Sequence, residues 1–144
     1  MSEVILTQTD TTVGFLSQDA QKLYEIKSRK NTKPFLKVYS SFHHFLSSNN
    51  RVPNRFKNMV RRSKKTTFIV KNRAFRIAEP ELHSQILRKL KWHYSTSANE
   101  SGKKFERGFC EKKADIIIEN KYGLHEHSSS SLIKLTQTKR RKLR

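Results

Sequence analysis

The sequence predicts a layered fold of the α/β or α+β class, and two observations support this. Short runs rich in β-branched and aromatic residues alternate with stretches in which apolar residues recur every three or four positions, so predicted strands and helices interleave. The chain has 144 residues, enough for one domain with one core, and it shows no internal repeat. We therefore expect helices packed against a sheet.

Short apolar or β-branched runs predict the strands. The clearest run is 66–70, in which two threonines precede Phe, Ile and Val. Residues 74–78 carry Arg76 between apolar residues, and the alternation of side chains along a strand places Arg76 on the opposite face from Phe75 and Ile77. The predicted strands are residues 4–6, 35–39, 66–70, 74–78, 92–94, 114–119, which we expect to be buried, and 132–135.

Capping residues and one-sided apolar patterns predict the helices. Asp19 is a suitable N-cap for a helix over residues 20–29, whose apolar face carries Leu23 and Ile26. Pro80 suits the first turn of a later helix, because apolar residues follow on one face at intervals of four. Shorter helices are predicted after a cap at Ser40 or Ser41, over residues 54–62, and within residues 103–113.

The chain is strongly basic, with 31 Lys and Arg against 12 acidic residues and a formal charge of +19. This excess predicts an anionic partner, such as a nucleic acid, a nucleotide or an acidic surface. Residues 54–65 and the tail carry much of the charge, and both can contact RNA phosphates or remain a solvated face. We expect a domain over residues 1–135, followed by a basic, disordered tail at residues 136–144.

The sequence predicts a cytoplasmic protein without a membrane segment. No apolar run approaches the roughly 20 residues that a spanning helix requires, and the first residues lack the pattern of a signal peptide. Cys110 is the only cysteine, which excludes an intrachain disulfide and indicates a reducing compartment. The histidines at 43–44 and at 125 and 127 fall short of the three or four ligands of a zinc site, so we expect no protein-held metal.

A loop dense in hydroxyl and amide side chains follows the predicted strand at 92–94. Residues 95–102 read S-T-S-A-N-E-S-G, which is a poor core segment and a poor helix. By composition this is an ordinary surface loop, although its donors and small side chains also suit close contact with a polar ligand.

The order of these residues resembles that of a known family. The loop at 95–102 matches the motif S-T-S-A-N-x-S-G of the YrdC/TsaC-like family, the threonylcarbamoyl-AMP synthases, without a mismatch. Residues 27–29 and 33–34 match its K-x-R and K-P, and residues 9–14 match most of its P-T-D-T-x-x-G. The motifs occur in family order, so the chain resembles a short variant of that family.

This resemblance implies a twisted, open mixed β-sheet with flanking helices, the YrdC-like (DHBP synthase-like) fold, and a concave basic pocket. It also implies formation of threonylcarbamoyl-AMP and pyrophosphate from ATP, L-threonine and bicarbonate, with Mg²⁺ entering on the triphosphate. The product serves t6A formation on tRNA, so t6A-pathway proteins are implied as product acceptors, and tRNA or double-stranded RNA as a further partner. The residues implied as catalytic are Lys27, Arg29, Ser97 and Asn99.

Further residues are implied to bind the substrates. Thr9 and Thr11 correspond to the threonine side of the family site, and Ser95 belongs to the matched loop. The resemblance also assigns binding roles to Thr67, Arg76 and Ser130, although several registers fit the serines at 128–131. Strand propensity explains Thr67 equally well, and a solvated charge explains Arg76.

The chain also departs from the family pattern. Gln8 stands where the family has its first Pro, Val13 replaces the usual Tyr, and Lys30 replaces the Pro after K-x-R. The P-G-P that precedes the strand at 66–70 is absent, and we expect this chain to lack the helix that usually precedes the first strand. Two alternatives therefore stay open: a non-catalytic YrdC-like module that binds double-stranded RNA or tRNA, and carbamoyl-adenylate chemistry with another acceptor.

Overall fold

A computed structural model describes residues 2–28, 34–79 and 85–144 of the chain. Its contacts divide the chain into two compact units. Unit 1 comprises Met1–Phe35 and His93–Ser128, and unit 2 comprises Leu36–Trp92 and Ser129–Arg144.

Strands and helices alternate through the described residues, and this confirms the predicted mixed α/β class. The strands are β1 (Ile5–Gln8), β2 (Val13–Ser17), β3 (Leu36–Tyr39), β4 (Thr66–Val70), β5 (Arg73–Ile77), β6 (Trp92–Ser97), β7 (Ile116–Ile118), β8 (Ser131–Leu135) and β9 (Arg140–Lys142). The helices are α1 (Ala20–Lys27), α2 (Phe42–Ser47), α3 (Lys57–Arg61), preceded by a 3₁₀ turn at Asn54–Phe56, α4 (Gln85–Lys89) and α5 (Arg107–Lys113).

In unit 1 the strand order is β7-β1-β2-β6. β1 and β2 form an antiparallel hairpin, β6 pairs antiparallel with β2, and β7 pairs parallel with β1. Every residue of β2 is buried, and Phe15 lies in the core with Leu6, Leu23 and Cys110. This hairpin places the residues that follow β1 beside the end of β6.

Helix α1 begins where the sequence predicts. The Asp19 carboxylate accepts from the backbone amides of Gln21, at 3.0 Å, and Lys22, at 3.4 Å, which confirms it as the N-cap. The helix ends at Lys27, and Ser28 adopts the left-handed conformation with φ of 47°. The predicted last residue, Arg29, lies outside the described residues, as do Pro80 and the residues just after it.

In unit 2 the strand order is β3-β5-β4-β8-β9. β3 pairs parallel with β5 and β4 pairs parallel with β8, whereas β4/β5 and β8/β9 are antiparallel. Aromatic rings make up half of its core cluster: Phe45 stacks on Phe75 with centroids 4.4 Å apart, and Tyr39 and Phe68 also belong to it.

Three features differ from the sequence prediction. β2 was not predicted, because Gly14 interrupts a short apolar run. The carboxyl-terminal segment was predicted to be disordered, yet Arg140–Lys142 form β9 on β8, because backbone pairing does not require apolar side chains. The segment at 114–119 was predicted to be buried, but Ile116 and Ile117 of β7 are 40% and 44% exposed.

The helices of the described ranges are short. The longest, α1, has eight residues, and none has the length and apolar character that crossing a membrane requires.

Candidate functional site

Lys27 ends helix α1 and is buried in unit 1, with 5% of the residue exposed. Its Nζ donates to the main-chain oxygens of Ser97, at 3.0 Å, and Asn99, at 2.9 Å, and also contacts the side-chain Oδ1 of Asn99. Burying an ammonium is costly unless oxygens surround it, and these three acceptors provide that environment. Lys27 therefore fixes the backbone of the loop that follows β6.

Asn99 links the remaining polar groups of this loop. Its Oδ1 accepts from Ser97 Oγ at 3.0 Å, and its Nδ2 donates to the main-chain oxygen of Lys103. The amide of Ala98 donates to the carbonyl of Val13, 3.0 Å away, which holds the start of the loop against β2. Ser97 is exposed, so its hydroxyl oxygen can still accept a hydrogen bond from a ligand.

Gly14 allows the chain to pack closely next to this loop. It pairs with Ser97 across β2 and β6. A Cβ atom on Gly14 would lie 3.1 Å from the main-chain oxygen of Thr96, 3.2 Å from Thr9 Cγ2 and 3.8 Å from Ser95 Oγ. The predicted residues Thr9 and Ser95 therefore both approach Gly14, and the close contacts with Thr96 and Thr9 leave little room for a Cβ atom.

The turn between β1 and β2 orients the Thr9 and Thr11 hydroxyls. Thr9 Oγ1 donates to the carbonyl of Thr12 at 2.6 Å and accepts from the amides of Thr11 and Thr12, each at 3.2 Å. Thr11 Oγ1 lies 3.2 Å from Thr9 Oγ1, and Thr11 is 6% exposed. Such local hydrogen bonds order a turn and set the direction of its hydroxyls.

Cys110 lies in the core of unit 1 and is fully buried. Burial raises the pKa of its thiol above the ordinary value, although a backbone hydrogen bond at Glu106 and the charge of Lys27 oppose this. A thiol with a raised pKa is protonated at neutral pH and is a poor nucleophile. The residues of unit 1 that suit polar ligand binding are therefore hydroxyls, amides and one ammonium.

Unit 2 holds a separate buried polar group. Thr67 Oγ1 and Ser130 Oγ lie 2.8 Å apart, and Thr67 faces Arg76 across β4 and β5. These three residues are 4% to 6% exposed, so Arg76 is not the solvated charge that strand alternation alone suggests. Of the serines at 128–131, Ser130 is the one that bonds to Thr67.

Arg144 joins this group, and the sequence did not predict it. Its Nε donates to the main-chain oxygen of Ser130 at 2.9 Å, and its Nη2 lies 3.4 Å from Ser130 Oγ. The pairing of β9 with β8 brings the residue there. A basic tail offers no local pattern that predicts such a return, so the contact is visible only in the structure.

The structure thus groups the predicted site residues within each unit. In unit 1, hydrogen bonds join Lys27, Ser97 and Asn99, and Thr9, Thr11 and Ser95 lie at the adjoining turn and strand. In unit 2, Thr67, Arg76 and Ser130 cluster and Arg144 is added. The predicted Arg29 lies outside the described residues.

The described part of the chain contains no group of three or more His, Cys, Asp or Glu side chains that could hold a metal ion. His125 and His127 do meet, with Nε2 atoms 2.6 Å apart, but they are only two potential ligands.

Comparison with protein families gives one match that spans almost the whole chain. The family model Sua5_yciO_yrdC, described as telomere recombination, matches residues 2–144. No curated protein sequence matches the chain significantly.

Solved structures with the same fold support this match. A double variant of P. abyssi Sua5 superposes with a TM-score of 0.76 at 19% identity, covering 99% of this chain and 52% of that one. P. abyssi Sua5 complexed with L-threonine gives 0.72 at 17% identity, with 99% and 50% covered. E. coli YciO gives 0.71 at 19% identity, with 99% and 82% covered. The chain thus spans about half the length of P. abyssi Sua5, and at these identities the likeness establishes the fold.

Proposed function

The chain belongs to the Sua5/YciO/YrdC family, and on this basis we propose that it is a nucleotidyltransferase that makes threonylcarbamoyl-AMP. The substrates are ATP, L-threonine and bicarbonate, and pyrophosphate is released. The product is passed to tRNA-modifying proteins for t6A formation in the cytoplasm. The observation that carries this proposal is the set of hydrogen bonds that joins Lys27 to Ser97 and Asn99.

The chemistry requires positive charge and aligned hydrogen-bonding groups rather than a covalent nucleophile. The amine of threonine attacks bicarbonate and water leaves, which gives a carbamate. An oxygen of this carbamate then attacks the α-phosphate of ATP, and pyrophosphate leaves. A carboxylate, a carbamate and a triphosphate must therefore be held close together, and their mutual repulsion must be offset. The Lys27 ammonium supplies positive charge at the loop, the exposed Ser97 hydroxyl can bind the substrates, and the Asn99 amide holds Lys27 and Ser97 in place.

Threonine is the amino-acid substrate in this proposal. P. abyssi Sua5, which shares the fold, has been solved with L-threonine. In unit 1, Thr9 and Ser95 both approach Gly14, so small polar side chains are grouped there, and such side chains suit contact with a small polar ligand. Arg29 is proposed from the sequence motif alone to bind a carboxylate or phosphate with its planar guanidinium.

ATP is proposed to contact the polar group of unit 2 through phosphate oxygens. Thr67 and Ser130 offer hydroxyls, and Arg76 and Arg144 offer guanidinium groups that suit phosphate. Mg²⁺ enters with ATP and is coordinated by the triphosphate and water, because the described residues contain no cluster of acidic ligands.

The test is pyrophosphate release, with the adenylate product identified by mass spectrometry. Release should require ATP, threonine and bicarbonate together. We expect Lys27→Met and Ser97→Ala to lower kcat/KM by about 100-fold or more, since the first removes the ammonium that charges and orders the loop and the second removes a hydroxyl that can bind the substrates. Lys22→Met on the same helix is the matched control, because Lys22 makes only a half-exposed 3.9 Å ion pair with Asp115. Unchanged turnover in Ser97→Ala would contradict the assignment of the loop.

A non-catalytic RNA-binding module is the second candidate, and the excess of basic residues favours it. Absence of pyrophosphate release under all conditions, together with salt-sensitive RNA binding, would select this function over the enzyme.

A further inference from the structure

Two imidazole rings meet in unit 1, in the segment that follows β7. The Nε2 atoms of His125 and His127 are 2.6 Å apart, and the ring centroids are 4.3 Å apart with 78° between the ring planes. When the proton of each neutral ring is on Nδ1, both Nε2 atoms present lone pairs, and these repel each other at this separation. The pair therefore needs a proton or a metal ion between the two nitrogens.

The two distances match those of ligands at neighbouring corners of a tetragonal metal site. With metal–nitrogen bonds of about 2.0 Å and an angle of about 90° between them, the nitrogens lie about 2.8 Å apart and the ring centroids about 4.5 Å apart. A tetrahedral site requires about 3.3 Å between the nitrogens and about 5.2 Å between the centroids. A hydrogen bond aligned with both rings puts the centroids about 4.9 Å apart. The observed 4.3 Å is nearest to the tetragonal arrangement.

The β1–β2 hairpin holds the backbone of both histidines. The amide of His125 donates to Gln8 Oε1 at 2.9 Å, and its carbonyl accepts from the amide of Val13 at 3.2 Å. The amide of His127 lies 3.3 Å from Thr12 Oγ1. Gln8 and Thr12 stand 117 and 115 positions earlier in the chain than the histidines they contact. The fold therefore arranges the two rings in advance, and less conformational entropy is lost when a ligand binds.

The charge of unit 1 permits the approach of a cation. Unit 1 contains 11 Lys and Arg residues and 10 acidic residues, so its net charge is +1 of the total +19. A divalent cation therefore meets little repulsion from the unit that carries the two rings, whereas the rest of the chain repels cations strongly. Of the two adjacent histidine pairs of the chain, the pair at 125 and 127 is the one in the nearly neutral unit.

We propose that His125 and His127 bind a divalent transition-metal ion in tetragonal geometry, with Cu²⁺ preferred and Ni²⁺ as an alternative. Two imidazoles are too few for a closed structural zinc site, which takes four protein ligands. Tetragonal coordination by nitrogen and oxygen is typical of Cu²⁺ and Ni²⁺, and water completes it here. The proposal does not depend on the proposed catalytic function, because neither histidine is assigned to the substrates.

The test is calorimetric titration of the full chain, without an affinity tag, with Cu²⁺, Ni²⁺ and Mg²⁺ in a buffer that does not bind metals. We expect one equivalent of Cu²⁺ to bind with a Kd of about 10 μM or tighter and Ni²⁺ to bind more weakly. Mg²⁺ should not bind at this site, because it prefers oxygen ligands. The Cu²⁺ complex should give an axial electron paramagnetic resonance spectrum with hyperfine coupling from two imidazole nitrogens.

Variants separate this pair from the other histidines. His125→Gln and His127→Gln should each weaken Cu²⁺ binding by at least about tenfold, nearly as much as the double variant, because a chelate needs both rings. The matched control is His43→Gln/His44→Gln, whose rings are adjacent in α2 but have centroids 5.8 Å apart, too far for one tetragonal site. It should bind as wild type does. Far-UV circular dichroism of each metal-free variant should match that of wild type.

A further variant tests whether the fold holds the site. Gln8→Ala removes the side chain that accepts from the amide of His125 and leaves both rings in place. We expect binding to weaken by about threefold or more, because the segment is then less well ordered before the metal binds.

Three results would overturn the proposal. The first is no binding of Cu²⁺ or Ni²⁺ by wild type, which would leave the two rings as a hydrogen-bonded pair only. The second is a loss of affinity in the control at 43 and 44 that equals the loss in the double variant at 125 and 127. The third is unchanged affinity in Gln8→Ala, which would show that the hairpin does not hold the site. Pyrophosphate release by the wild type does not bear on any of these results.

Discussion

The Nζ atom of Lys27 lies 2.9 Å from the main-chain oxygen of Asn99, a residue 72 positions further along the chain. This contact ties the end of α1 to the loop after β6. The same side chain therefore contributes to the folding of unit 1 and to the arrangement of the candidate site.

The stability of unit 1 should depend on the Lys27 ammonium. In Lys27→Met, the main-chain oxygens of Ser97 and Asn99 lose a buried donor. We expect the free energy of unfolding to fall by about 2–4 kcal/mol, as measured by urea denaturation. Lys22→Met should change the free energy of unfolding by less than about 1 kcal/mol, because its ion pair with Asp115 is half-exposed. Similar values for the two variants would show that the buried contacts contribute little.

Helix α1 should depend on its N-cap. Asp19→Ala removes the carboxylate that accepts from the amides of Gln21 and Lys22, and should cost about 1 kcal/mol in thermal or urea unfolding. Gln21→Ala is the control within the same first turn, because Gln21 is exposed and alanine favours a helix. A loss in the control as large as that in Asp19→Ala would argue against the capping role.

Gly14 should be sensitive to the addition of a single methyl group. In Gly14→Ala, the new Cβ would lie 3.1 Å from the carbonyl of Thr96 and 3.2 Å from Thr9 Cγ2, so we expect a loss of about 1–3 kcal/mol and weaker threonine binding. Combining Thr9→Ser with Gly14→Ala should restore part of the stability and part of the threonine binding, because serine lacks the methyl group of Thr9 and keeps the hydroxyl. Calorimetric titration with threonine measures the binding, and a double variant no better than the single one would refute this contact.

Cys110 should make stability dependent on alkaline pH. Burial raises the pKa of its thiol in the folded protein above the value in the unfolded chain, so the unfolded chain loses this proton first. The stability that this pKa difference contributes is fully present below the pKa of the unfolded chain, and it is lost as the pH rises toward the pKa of the folded protein. Between pH 8 and 10 the wild type should lose more stability than Cys110→Ala does, and the native thiol should resist Ellman's reagent until denaturant is added. Rapid labelling of the native protein would exclude this burial.

Local sequence patterns predicted the strands whose own residues favour extended structure. β4 has its predicted bounds because five consecutive residues are threonine, aromatic or β-branched. β2 and β9 were missed for different reasons: Gly14 weakens the local signal of one, and the other is a basic segment ordered by pairing with a distant strand. Ile116 and Ile117 looked buried because composition does not indicate which strand has a neighbour on only one side.

The candidate site was predictable only through motif resemblance. Lys27 and Asn99 lie in segments too far apart for periodicity to connect, and the order of residues in the loop at 95–102 suggested their association. Arg144, in contrast, was not predicted by any pattern. Its contact with Ser130 depends on the chain folding back along β8, and a run of basic residues does not encode that.

The exposed isoleucines of β7 have a consequence for aggregation. In the described part of unit 1, β7 pairs with β1 alone, so Ile116 and Ile117 offer an apolar edge to which another chain could add a strand. The carboxylates of Asp115 and Glu119 flank this edge. The Arg107 guanidinium, which is hydrogen-bonded to Glu119, lowers the pKa of the Glu119 carboxyl. Glu119 therefore stays ionised in mild acid. The flanking charges oppose self-association through the β7 edge, and so does the short length of β7, which has only three residues.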